Sequence, residues 1–137
     1  MANDIVLITT RGDVDLLGKR VTKDSITGTK YHSHLKDEFC FFLSRSDPVI
    51  QQIRKNHTFV VNFLPEFYKK ELLMCLNASS NSIDLFKECS FSKKDSELID
   101  CAIINEAKSY LECRYSDEKE LENHVMIVGK IVGDKNE

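Results

Sequence analysis

A chain of 137 residues suffices for one domain with its own apolar core, and residues 1–137 are read as a single unit. An apolar fraction of 42% with 30% charged residues excludes a disordered chain, and 19 basic against 22 acidic side chains exclude a general nucleic-acid binder. No apolar run approaches the roughly 20 residues that span a bilayer, and the first residues lack a secretion pattern. Five cysteines, an odd number without a Cys-x-x-Cys pair, read as reduced thiols in a cytoplasmic protein.

Taken in order, residues 5–10 (Ile5-Val6-Leu7-Ile8-Thr9-Thr10) form a β-branched strand, apolar on both sides, ending in a turn at Arg11-Gly12-Asp13. Residues 20–29 are polar but strand-prone, and Phe39-Cys40-Phe41-Phe42-Leu43 is a wholly apolar, buried strand. Ser44-Arg45-Ser46-Asp47-Pro48 is a loop that opens a helix, with Ser46 or Asp47 as cap and Pro48 at its first position. Val49, Ile50 and Ile53 mark that helix, which Lys55 and Asn56 close. A strand follows at residues 58–63, ended by Pro65, and helical spacing runs through Phe67, Leu72, Leu73 and Leu76. A polar turn at residues 77–82 leads to a short helix carrying Ile83, Leu85 and Phe86. Residues 91–102 read mostly as loop, and two long strands at 107–116 and 124–132 flank an acidic connection at 117–123. Strands that do not alternate with helices predict a mainly β chain, an antiparallel barrel with peripheral helices. No Gly-x-Gly-x-x-Gly or Walker-type loop is present.

The order of landmarks in the second half carries a resemblance. They are Phe59-Val60-Val61-Asn62, Cys75, Ser79, Ile83-Asp84-Leu85-Phe86, then Ile99-Asp100-Cys101-Ala102-Ile103-Ile104-Asn105-Glu106-Ala107. Leu111-Glu112-Cys113 and the strand from Asn123-His124 to Ile131-Val132 complete them. In this order and spacing the chain resembles the flavin reductase-like family, which forms the FMN-binding split barrel and includes the flavoredoxins. The resemblance implies a split β-barrel working as a homodimer, with FMN at the subunit interface. It implies hydride or electron transfer between NAD(P)H, or a redox protein partner, and the flavin, hence an NAD(P)H-dependent flavin oxidoreductase.

FMN needs donors for a phosphate dianion and for the polar edge of its ring. Ser44-Arg45-Ser46, just before a helix, supplies hydroxyls, a guanidinium and helix-start amides. Thr27-Gly28-Thr29-Lys30 supplies two hydroxyls and a cation beside a glycine that permits close backbone approach. By the resemblance, His124 is a third candidate, at the flavin or nicotinamide edge. The plainer readings are a helix cap with a solvated Arg45, a strand carrying a bulge glycine, and a strand-start histidine making ordinary hydrogen bonds. His32 and His34 lack a third metal ligand and read as solvent-facing. Cys75 and Cys113 read as core, and Asn62 as a partner for buried backbone groups.

Lys30 stands where the family frequently has an aromatic, Glu38-Phe39 replaces a proline pair, and the chain has no tryptophan. These departures support a second reading: a flavin-free split-barrel homodimer acting as a binding or scaffold module.

Overall fold

The computed structural model describes residues 4–78 and 84–136. Its elements are β1 (Val6–Leu16), β2 (Lys19–Thr29), β3 (His32–His34), β4 (Glu38–Ser44), α1 (Val49–Asn56) and β5 (Thr58–Phe63). After a 3-10 turn at Glu66–Tyr68 come α2 (Lys69–Asn77), α3 (Leu85–Glu88), β6 (Lys93–Asp95), β7 (Ala102–Ile104), β8 (Ser109–Glu120) and β9 (His124–Asn136). Seven strands form one antiparallel sheet in the order β2-β1-β5-β8-β9-β4-β3, while β6 and β7 pair separately. The sheet ends in β2 and β3 instead of closing, which is the split-barrel architecture.

Alternation along the strands explains why the wall is apolar on both faces. Val6 and Ile8 pack inward with Phe39, Phe41, Phe59, Val61 and Ile127. Their neighbours Ile5 and Leu7 pack outward on Leu72, Cys75, Phe86 and Ile104. A strand covered on both sides loses the polar face of a solvated hairpin. Helix α1 buries Val49, Ile50 and Ile53 in the inner cluster, whereas α2 and α3 cover the outer face. Among the described residues no helix is long and apolar enough to cross a membrane.

The Arg11-Gly12-Asp13 turn is corrected by the structure: β1 continues to Leu16, paired throughout with β2. The reversal sits at Leu17 and Gly18, whose φ values of 51° and 81° are the left-handed pair a two-residue hairpin requires. The acidic connection is shorter than expected, because β8 runs to Glu120 against β9, with bulges after Glu112 and Tyr115. Within the stretch read as loop, Lys93–Asp95 is the short strand β6. Helix α1 starts at Val49 rather than Pro48; the Asp47 carboxylate accepts the Val49 amide at 2.9 Å. Residues 79–83, which hold most of the expected polar turn, Ser79 and Ile83, lie outside the described residues.

Candidate functional site

An open cleft of about 1020 Å³ lies between the β1–β2 ribbon, the head of α1 and the end of α2. Three of the predicted residues meet there: Thr27 on β2, and Ser44 and Ser46 on the loop entering α1. The two serine hydroxyls lie 3.1 Å apart and are exposed. Thr27 is buried, and its hydroxyl donates to Asp47 Oδ2 at 2.6 Å. The Asp47 carboxylate is thus held between the Thr27 hydroxyl and the Val49 amide, at the positive end of α1.

The other predicted residues do not line the cleft. A Cβ on Gly28 would stand 2.8 Å from the Leu76 backbone nitrogen and 3.0 Å from the Cys75 carbonyl carbon. Gly28 therefore lets α2 lie directly on β2. Thr29 is buried and ties the end of β2 to β4, its hydroxyl donating to the Phe42 carbonyl at 2.9 Å and accepting from the Tyr31 amide at 3.2 Å. Arg45 reaches the tip of the β8–β9 hairpin, donating to the Leu121 carbonyl at 3.1 Å and meeting Glu120 at 3.5 Å. Lys30 and His124 instead flank the exposed ring of Tyr31, Lys30 with its ammonium 5.8 Å from the centroid and His124 in an edge contact at 6.4 Å.

His32 is half-buried and stacks on Phe39 at 5.5 Å, so it is not simply solvent-facing; His34 is exposed. Cys75 and Cys113 lie in the core, and burial raises both thiol pKa values, Cys113 to about 12. Cys75 Sγ lies 3.7 Å from Cys89 Sγ, and the five cysteines are free thiols. Asn62 is fully buried and accepts the Ile104 amide while donating to the Leu7 carbonyl and the Thr9 hydroxyl.

Sequence reasoning missed the charged rim of the cleft. The Arg11 guanidinium donates to Asp24 at 2.7 Å, Asp100 at 2.9 Å and Asp95 at 3.0 Å, and Lys93 meets Asp24 at 3.1 Å. The hydrogen bond to Asp24, more than any other contact, raises the Arg11 pKa above its ordinary value. The cluster joins β1, β2 and β6 to the loop before β7, a grouping hidden in sequence because Arg11 sits in a Gly-Asp stretch that looks like a turn. Around the cleft stand Asp13, Asp15, Asp24, Asp47, Asp84 and Asp100, against Arg11, Arg20, Lys23 and Lys55. Among the described residues the lining is net acidic.

No curated protein matches this chain by sequence. Among solved structures, it is similar to a flavoredoxin from Methanosarcina acetivorans, with a TM-score of 0.78 at 22% identity over 97% of this chain and 68% of the neighbour. It is also similar to the flavoredoxin of Desulfovibrio vulgaris (Miyazaki F), with a TM-score of 0.82 at 15% identity over 97% of this chain and 69% of the other. A third neighbour, the Streptomyces globisporus C-1027 NADH:FAD oxidoreductase in complex with NAD and FAD fragments, gives 0.78 at 15% identity over 96% and 73%. Identities this low speak for a shared fold. A family model is more direct, since it matches residues 1–135, and on that match the chain belongs to the flavin reductase like domain family.

Proposed function

We propose that this protein is a flavin-binding redox protein of the flavin reductase or flavoredoxin type, using the cleft at the head of α1. One observation carries the reading: a chain of this family brings Thr27, Ser44 and Ser46 together on a cleft of about 1020 Å³, near the upper end of small-molecule pockets. A bound flavin would supply the carrier for hydride or electron transfer.

The donors on the page fit the neutral part of that group. The exposed hydroxyls of Ser44 and Ser46 suit the ribityl chain and the carbonyl edge of the ring, and Ser25 and Asn77 add polar groups along the walls. The fit is poorer for the phosphate of FMN, the flavin that the resemblance implies. At the head of α1 the Thr27 hydroxyl and the Val49 amide already hold Asp47, and the Arg45 guanidinium is engaged by the hairpin. The chain's residues would thus orient the ring, and a second copy laid over the open cleft would exclude water from it. NAD(P)H or a redox protein partner is the electron source proposed, with the five free thiols suiting a reducing, cytoplasmic setting.

Titrating riboflavin and FMN into purified protein, with flavin fluorescence as readout, tests the reading. Saturable quenching is expected, followed by flavin-dependent oxidation of NADH. A protein that quenches neither flavin is the flavin-free module instead.

A further inference from the structure

We infer that Asp47 determines which flavin the cleft accepts, selecting the unphosphorylated, riboflavin-type ligand over a phosphate monoester such as FMN. The inference rests on the flavin reading and deepens it. A phosphate gripped at the head of a helix needs free backbone amides, a hydroxyl donor and a guanidinium. Here the helix-start amide, the Thr27 hydroxyl and the guanidinium groups are directed elsewhere, while the exposed Ser44 and Ser46 hydroxyls remain open to a ligand. The Val49 amide donates to Asp47 Oδ1 at 2.9 Å and the Thr27 hydroxyl to Oδ2 at 2.6 Å, so the protein's own anion occupies the position. Arg45 faces the Leu121 and Glu122 carbonyls and Glu120. Arg11 is surrounded by three carboxylates, and Arg20 lies 3.9 Å from Asp15.

The chemistry of the two ligands differs at this point. A ribityl chain ending in a hydroxyl donates a hydrogen bond, which a carboxylate oxygen accepts. A phosphate dianion only accepts, and beside Asp47 it meets a like charge in a cleft lined, among the described residues, by six aspartates against four bases. The carboxylate therefore favours the alcohol and opposes the ester. Substitution by asparagine keeps the shape: its oxygen still accepts the Val49 amide, and its amide donates to the Thr27 hydroxyl. Only the charge is lost.

The test compares dissociation constants of riboflavin and FMN, by fluorescence quenching, for wild type and Asp47→Asn. Wild type is expected to bind riboflavin about tenfold or more tightly than FMN, and the variant to reduce that ratio to about threefold or less by gaining FMN. Far-ultraviolet circular dichroism checks that the variant is folded, and the wild-type ratio needs no variant at all. A wild-type preference for FMN, or a ratio unmoved in Asp47→Asn, overturns the assignment to Asp47 while leaving the flavin reading in place. Absence of binding by both flavins in wild type overturns that reading and this inference together.

Discussion

Asn62 and Asp47 are both polar side chains that join separate elements, yet their surroundings differ in kind. Asn62 sits at 0% exposure in the wall, where its amide bonds to β1 and β7 with no charge involved. Asp47 is half-buried at the rim of the cleft, and Asp95 and Asp100 around that rim keep 81% and 75% of their side-chain surface in water. A buried polar group is tolerated when neutral and fully paired, whereas ionised groups need water or close partners: Asp24, 13% exposed, is held by Arg11 and Lys93. The proposed ligand would therefore meet the rim, not the wall. The wall has already used its donors on itself.

Breaking the wall should cost most. Asn62→Leu leaves the Ile104 amide and the Leu7 and Thr9 oxygens short of a partner at the seam where β7 meets the sheet. A loss of about 2–4 kcal/mol is expected in urea unfolding, because buried groups deprived of a partner lose the full hydrogen bond without regaining water. A cost below about 1 kcal/mol would mean that water enters the seam, and the contrast with the rim would lose its basis.

Gly28→Ala sharpens the comparison from the other side. The added methyl would approach the Leu76 nitrogen to 2.8 Å, a backbone atom that moves only if α2 moves. Destabilisation of about 1–3 kcal/mol is expected, the usual range for overpacking. If Gly28 served only close ligand approach, stability would be unchanged and flavin affinity alone would fall.

How much of this was legible in the sequence depended on whether a residue's partners were local. The double-sided alternation of Ile5 to Ile8 reported the wall directly, and in the apolar run from Phe39 to Leu43 the alternate residues Phe39, Phe41 and Leu43 are packed while Cys40 and Phe42 are half-buried. The β1–β2 reversal was hidden because Leu17 carries none of the side-chain chemistry that marks a left-handed turn, while Gly12-Asp13 does. At the cleft, Ser44 and Ser46 were legible as a loop entering a helix because helix-start chemistry is local, whereas Thr27 was singled out beside Gly28 on a strand, and all three line the cleft. Arg45 looked available for a phosphate because its partners Leu121 and Glu122 are 76 and 77 residues away. Asp47 was legible as a cap, but its Thr27 partner on another strand, and hence its bearing on ligand charge, was not.

The smallest expected effect concerns the link between the hairpin that engages Arg45 and the helix at the cleft. On α1, Arg54 forks onto Glu118 of β8, and the Tyr115 hydroxyl donates to the same carboxylate at 2.7 Å. The Arg54 hydrogen bonds, with help from Tyr115, hold the Glu118 pKa below its ordinary value of 4.5. Burial and the bond to Glu118 push Tyr115 up to about 12, so it stays protonated as a donor at neutral pH. A depressed carboxylate pKa contributes stability that is fully present above 4.5 and is lost as pH falls through the folded-state value. Arg54→Met should therefore cost about 1 kcal/mol at neutral pH, typical of a forked pair partly open to water. The difference from wild type should shrink as the medium is acidified below 4.5, measured as urea midpoints across a pH series. A difference that persists undiminished in acid would assign the Arg54 contribution to packing of its aliphatic stem, and α1 would then be held to the hairpin by apolar contact, as the wall is.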